Sequence, residues 1–463
     1  MNKVIMACAG VAMLMFFGCG KGARKTACCS TCGSGEASVK LITLDPGHFH
    51  AALVQKKMYP KIDKTVHVYA PSGSDIERHM AMVNGFNERP ENPTEWENVV
   101  YTGSDFLEKA LAEKKGNVVV LAGNNAAKVD YILKCVENGY NVFADKPMVI
   151  NPEGFAKLQQ AFKIAADKGL LIYDIMTERY EVTTALQREF SKFPEIYGEQ
   201  DKGTPDDPSV TKESVHHFCK EVAGAPLRRP AWFYDASVQG DAIVDVNTHL
   251  VDMIQWELFP GVTLTPADVE VVQAKTWDTP MTLAEFEEST GLAEFPETLK
   301  QFVENGKLMT KANGAFTYNI KGVYAKASVL WNVKAPEGAQ DTHYSLMRGT
   351  KSALVIRQGA EQGYKATLYV EPRPGSDAAA IEAALASAIV KLQADYPGIA
   401  SQKVDTGWQI VVPAALKVGH EAHFGQVMDK YLEYLENGNM PEWEVPNMLV
   451  KYHTLMEAFK MTR

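Results

Sequence analysis

Residues 117–150 read NVVVLAGNNAAKVDYILKCVENGYNVFADKPMVI. Two short apolar runs, NVVVLA (117–122) and YNVFA (140–144), bracket a segment in which Val129, Ile132, Leu133 and Val136 recur at three- and four-residue spacing and Gly139 supplies a stop. That change of period is strand, amphipathic helix, strand. Similar runs stand on either side: VKLITL (39–44), TVHVYA (65–70) and GLLIYDI (169–175). Asn151-Pro152 before GFAKLQQAFKIAADKG provides an N-cap and a first-turn proline for a further helix. Strands alternating with helices form right-handed βαβ units, so residues 39–180 are expected to build an α/β domain with a doubly wound parallel sheet.

Past residue 180 the pattern changes. SVHHFCKEV, RRPAWFYDA, AFTYNIKGVYAKASVLWNVKA, THYSLMRGTKSALVIRQG and YKATLYVEP are alternating, β-branched and aromatic-rich. They predict a large, mainly antiparallel sheet in an α+β domain over 181–463. SDAAAIEAALASAIVKLQADY (376–396) reads as an inserted amphipathic helix followed by the strand WQIVVP, and EAHFGQVMDKYLEYLENG and VPNMLVKYHTLMEAFK read as closing helices. A length of 463 residues suits two large domains. The 46% hydrophobic and 22% charged shares exclude a disordered, collagen-like or coiled-coil chain. The formal net charge is −10 with no basic block, which argues against a nucleic-acid partner, since phosphate binding needs clustered cations.

The start of the chain is of another kind. Lys3 precedes an uncharged run from Val4 to Phe17, then Gly18-Cys19. The run is too short to span a bilayer but has the length of a signal-peptide core. A small residue directly before a cysteine resembles the bacterial lipobox, which implies lipidation at Cys19 and a signal peptide over 1–19. Ordinary cleavage nearby is the alternative. Either way the chain is expected to be exported, and with the lipid anchor it faces the periplasm of a Gram-negative bacterium. Residues 20–38 (GKGARKTACCSTCGSGEAS) read as a flexible tether, with Cys28, Cys29 and Cys32 as tether thiols. Cys135 and Cys219 read as buried small hydrophobes. His216, His217, His420 and His423 stand in pairs and are taken as structural or cleft-lining, so no metal is expected.

In a doubly wound domain the loop after the first strand meets the ligand. Here it is Leu44-Asp45-Pro46-Gly47-His48-Phe49-His50-Ala51. Of the dinucleotide-binding glycines in G-x-G-x-x-G only the middle one remains, Gly47, where backbone must approach a pyrophosphate. His48, Phe49 and His50 add side-chain contacts there. The second strand ends Tyr69-Ala70-Pro71-Ser72 without the usual ribose-binding acid, leaving Ser72, Ser74 and Arg78 to meet a ribose or a 2′-phosphate.

The segment quoted first, with its Asp145-Lys146-Pro147, resembles the Gfo/Idh/MocA oxidoreductases, whose corresponding tripeptide is Glu-Lys-Pro. GDAIVDVNTHLVDMIQWEL (240–258) resembles their second signature, a glycine-led helix carrying D-x-x-x-H, filled by Asp245 and His249. The resemblance implies a Rossmann-type first domain and NAD as cofactor, with NADP as the alternative. It places Asn124, Asn125, Lys146 and Pro147 at the cofactor. On a helix, residues four apart share a face, so Asp245 and His249 are expected at one cleft. His249 would take a hydroxyl proton, Lys146 would polarise the same oxygen, and Asp245 would orient the base or bind substrate.

Arg179, Tyr180, His217, Trp232 and Tyr234 are the candidate substrate contacts, because aromatic planes and charged donors suit a polyhydroxylated ring. The family acts widely on sugars and glycosides, which points to oxidation of a ring hydroxyl such as the 3-OH. The rivals are an NAD-dependent glycosidase working by transient oxidation and elimination, and a non-catalytic sugar-binding lipoprotein. An exported enzyme meets no nicotinamide pool, so the cofactor is expected to be tightly bound. A second carbonyl substrate or a redox partner would then reoxidise it. The family's exposed sheet faces imply a homo-oligomer.

Overall fold

The structure, a computed structural model, describes residues 38–222, 225–336 and 338–463. The signal peptide, Cys19 and the three tether cysteines lie outside the described residues.

Six strands, β1 (Leu41–Leu44), β2 (Thr65–Ala70), β3 (Glu97–Thr102), β4 (Val118–Leu121), β5 (Asn141–Asp145) and β6 (Ile172–Ile175), form one parallel sheet in the order β3-β2-β1-β4-β5-β6. This is the Rossmann order, with the switch point between β1 and β4. The connecting helices are α1 (His50–Leu53), α2 (Ser74–Glu88), α3 (Phe106–Glu113), α4 (Asn125–Glu137) and α5 (Pro152–Lys168). β1 and β4 are buried at every position, as strands covered on both faces must be. α4 buries Val129, Ile132 and Val136 but leaves Leu133 half-buried. Each fully buried aliphatic side chain contributes about 1.5–3 kcal/mol of transfer free energy. Asn151 caps α5, its side chain accepting from the Gly154 amide, with Pro152 in the first turn.

After α6 (Val182–Ser191) comes the second sheet. Its strands are β7 (Val210–Cys219), β10 (Val269–Thr282), β11 (Val303–Glu304), β12 (Lys307–Ile320), β13 (Val323–Lys334), β14 (Thr342–Arg348), β15 (Ser352–Arg357), β16 (Thr367–Pro372), β17 (Ala400–Val404) and β18 (Gly407–Val411). The short pair β8 (Glu221–Val222) and β9 (Ala225–Pro226) stands apart. All ladders of the large sheet are antiparallel except β7 with β13. The remaining helices are α7 (Ala236–Gln239), α8 (Asn247–Leu258), α9 (Leu283–Thr290), α10 (Glu297–Lys300), α11 (Ala378–Leu392), α12 (His420–Asn437) and α13 (Glu444–Lys460). The inserted helix is α11, which buries Ile381, Leu385, Ala388 and Leu392. α12 and α13 return to the first sheet, where the Tyr431 ring packs tilted against Phe143 with centroids 4.8 Å apart and the Tyr452 hydroxyl donates to Asp174.

Two sequence expectations need correction. RRPAWFYDA is not a strand: Ala231–Tyr234 is a 3-10 turn. Pro230 has no amide to give a ladder, and the Arg229 guanidinium instead donates to the carbonyls of His217 and Phe218. Asp245 and His249 do not share one regular helix, because α8 begins at Asn247 and Asp245 lies in the turn before it. Gly240, at φ 94°, opens that turn, and the Asp241 carboxylate holds it by accepting from the Ile243 amide.

Candidate active site

Lys146 follows β5 at the carboxyl edge of the first sheet. Its Nζ donates to Asp245 Oδ1 at 2.7 Å, and the two side chains are only 12% and 10% exposed. Burial opposes ionisation of Asp245, but the Lys146 ammonium outweighs it and holds the carboxyl below its ordinary range. The pair is set from beneath by Lys128, a buried lysine on α4 that the sequence reading passed over. Its Nζ donates to Asn125 Oδ1 and to the carbonyls of Asp145 and Pro147 at 2.6, 2.9 and 3.1 Å. Burial pushes the Lys128 ammonium down to about 8. Its helical position, one residue from core-facing Val129, was the available signal.

His249 lies in the first turn of α8 with its Nδ1 buried and without a hydrogen-bond partner among the described residues. Burial, with the Lys146 charge, lowers its imidazole to about 4, so it is neutral near pH 7 and able to accept a proton. Asp245 is engaged by Lys146, and the carboxylates favouring a His249 cation are Glu178, a residue absent from the sequence candidates, and to a lesser extent Asp145. Burial opposes ionisation of Glu178, yet the facing His420 and His249 imidazoles hold it well below its usual range.

The first loop turns through Asp45, at φ 47°, and the amides of Gly47 and His48 both donate to the Ala122 carbonyl at 3.1 Å. A Cβ on Gly47 would stand 3.1 Å from Trp232 Cζ2 and 3.3 Å from Asp75 Oδ2, so any side chain here would crowd both neighbours. In front of it lies a cleft lined by Gly47, His48, Phe49, Arg78, His79 and Arg228. Both ring nitrogens of buried His79 lack partners, and burial lowers its imidazole to about 4. Cationic side chains, an orphaned imidazole and a side-chain-free backbone position fit the phosphates and adenosine of a dinucleotide. The end of β2 carries no acid; Asp75, in the first turn of α2, accepts from Trp232 Nε1 at 2.9 Å through Oδ2 and pairs with Arg78 through Oδ1.

Not every expected contact faces this cleft. Ser72 is exposed beyond β2. Asn124 caps α4, accepting from the Ala127 amide at 3.2 Å. Asn125 is a buried strut whose Nδ2 donates to the Gln239 carbonyl at 2.8 Å. His50 faces Asp145, with Nδ1 3.0 Å from Oδ2. Arg179 is not free for substrate, since its guanidinium grips Asp252 at 2.6 and 2.8 Å and Glu444 at 2.9 and 3.1 Å. Tyr180 packs against the core from the turn Thr177–Tyr180. His217 is buried with Nδ1 3.1 Å from Asp341 Oδ1, and Tyr234 is buried with its hydroxyl on Ser289. Trp232 belongs to the cofactor side, over Gly47. Turn geometry and core packing, invisible to a strand-like sequence pattern, account for these placements.

The fold is that of a nicotinamide-dependent oxidoreductase with its basic and acidic groups gathered at the end of β5. The family model "Oxidoreductase family, NAD-binding Rossmann fold" matches residues 47–173, and "Putative oxidoreductase C terminal domain" matches residues 186–463. The chain belongs to the Gfo/Idh/MocA oxidoreductase family. The crystal structure of a "putative oxidoreductase" from Parabacteroides merdae is 53% identical, with TM-score 0.90 over 92% of this chain and 98% of that one. Levoglucosan dehydrogenase, complexed with NADH and levoglucosan, shares the fold at 14% identity and TM-score 0.57, over 91% of this chain and 98% of that one. A 3-ketoreductase from Actinomadura kijaniata, complexed with NADP, does so at 14% identity and TM-score 0.54, over 92% and 98%. No curated protein matches the chain.

Proposed function

We propose that the protein is an NAD(P)-dependent dehydrogenase that oxidises a ring hydroxyl of a sugar or glycoside, the 3-OH foremost, to a ketone. The observation that carries this reading is the shielded Lys146–Asp245 pair with neutral His249 nearby. Nicotinamide, when bound in the cleft beside Gly47, supplies the hydride acceptor. Lys146 Nζ donates to the substrate oxygen and stabilises its developing negative charge. Asp245 keeps the ammonium in place. His249, with Nδ1 free, takes the hydroxyl proton. The sugar substrate of levoglucosan dehydrogenase and the reaction of the 3-ketoreductase support the substrate class.

The reading extends to handling of the cofactor. The chain is exported, lipid-anchored at Cys19 and without a nicotinamide pool, so the cofactor stays bound and a second carbonyl substrate or redox partner takes the hydride back. Incubating the purified protein with a panel of glycosides and a carbonyl acceptor should yield keto-sugars. Nicotinamide should appear in the supernatant after denaturation. A panel without any keto product would refute the substrate class, and empty protein that saturates with added NAD would refute tight binding.

A further inference from the structure

A second set of donors converges beside the Lys146 pair; His48 also lines the cofactor cleft, but the cofactor reading gives no role to its meeting with His50 and Asp145. His48 Nδ1 and His50 Nδ1 stand 3.3 and 3.0 Å from Asp145 Oδ2. One donor atom from each of the three lies within 4.8 Å of the others. An ion holding ligands at about 2.1 Å separates neighbouring ligand atoms by roughly 3.0–3.4 Å. The two histidines lie two residues apart in the loop after β1, and Asp145 ends β5, so three ligands come from two strand ends held by the sheet. His50 Nδ1 is hydrogen-bonded to Asp145 Oδ2, whereas the buried His48 Nδ1, 3.3 Å from the same oxygen, falls short of hydrogen-bond geometry.

Further polar groups surround the trio and orient it. His50 Nε2 faces His420 Nε2 at 3.2 Å, and His420 Nδ1 lies 3.6 Å from Glu178 Oε1. The second oxygen of Asp145 accepts from the Lys146 amide at 3.0 Å. Outer partners of this kind fix the ring orientation of a ligating histidine and hold a ligating carboxylate. These are not the histidine pairs weighed from the sequence; only His420 belongs to both sets.

We infer that His48, His50 and Asp145 bind one divalent transition-metal ion. Two imidazoles and one carboxylate form a donor set that suits Zn²⁺, Mn²⁺, Fe²⁺ or Co²⁺ and leaves coordination positions for water or a substrate oxygen. The inference does not rest on the dehydrogenase reading, since ion binding is measured without sugar or nicotinamide.

The test uses the full chain, stripped with chelator and titrated with Co²⁺ and with Zn²⁺. Visible Co²⁺ absorption should rise to one equivalent in the wild type, and Zn²⁺ should displace it. His50→Asn and Asp145→Asn should weaken binding by ~100-fold or more, beyond the tenfold-to-hundredfold effect typical of outer-shell changes. His48→Gln, at a partly exposed position, guards against a variant that fails to fold, and circular dichroism checks all three. Wild-type protein that takes up neither ion would overturn the inference. So would binding left undiminished in all the folded variants.

Discussion

Replacing Lys146 by methionine tests both what the lysine does and what it holds in place. The side chain keeps its length but loses the ammonium 2.7 Å from Asp245 Oδ1. Losing one preorganised donor to a developing oxyanion costs about 2.7–4 kcal/mol, or roughly 10²–10³ in turnover. Asp245 is then left as a shielded carboxylate without its cation, and breaking such a pair costs about 3 kcal/mol of stability.

The pH dependence carries the sign. In the wild type the depressed Asp245 pKa contributes stability that is present above the unfolded value near 3.9 and lost as pH falls through the lower folded one. In Lys146→Met burial, the largest influence, is opposed only by the Gln239 hydrogen bond and His48, so the folded pKa rises and the carboxyl costs stability increasingly as pH climbs above about 4. The contribution of Asp245 to Tm between pH 4 and 6 should therefore change slope relative to the wild type. Lys146→Met/Asp245→Leu should recover the Tm while remaining inactive. Activity is followed by keto-sugar formation, and stability by thermal unfolding. A single variant retaining more than a tenth of wild-type kcat/KM, or a double variant that regains activity, would refute the assignment.

Gly47→Ala should weaken NAD binding by about tenfold or more without unfolding the chain, because its methyl meets Trp232 Cζ2 at 3.1 Å; calorimetric titration measures it. His249→Gln should lower kcat by roughly 10²–10⁴ with little change in KM, and the wild-type kcat/KM should fall as pH drops through about 4, where the base becomes protonated. Arg179→Met should destabilise by about 3–5 kcal/mol in denaturant unfolding while KM for sugar is unchanged, since the guanidinium serves Asp252 and Glu444. Although burial opposes it, Arg179 and Lys451 hold Asp252 well below its usual range. That stability is present above pH 4 and shrinks on acidification, and a flat acid limb in the unfolding free energy would contradict it.

The parallel sheet was legible because periodicity is local. VVVL, LITL and NVFAD announce covered strands, and the Asn151-Pro152 start and Gly139 stop act within a few residues of themselves. Lys146, Asp245 and His249 were legible through motif resemblance. The candidate substrate contacts were less so. Arg179 and Tyr234 have the residue types of a sugar site, but their neighbours, Asp252, Glu444 and Ser289, lie 55 to 265 positions away and bind them into the interior.

By itself the sequence determined the alternation of strands and helices, the change to antiparallel patterning past residue 180, and the chemical kinds available at the strand ends. Only the tertiary structure decided which of those groups meet. Lys146 finds Asp245 across 99 positions, His50 finds Asp145 across 95, and His420 reaches His50 across 370. Secondary structure follows from dihedral preference and burial over a few residues. The partner of a buried charge depends on which distant segments the packed sheets bring within 3 Å, and there the cost of leaving a polar group unpaired selects the arrangement.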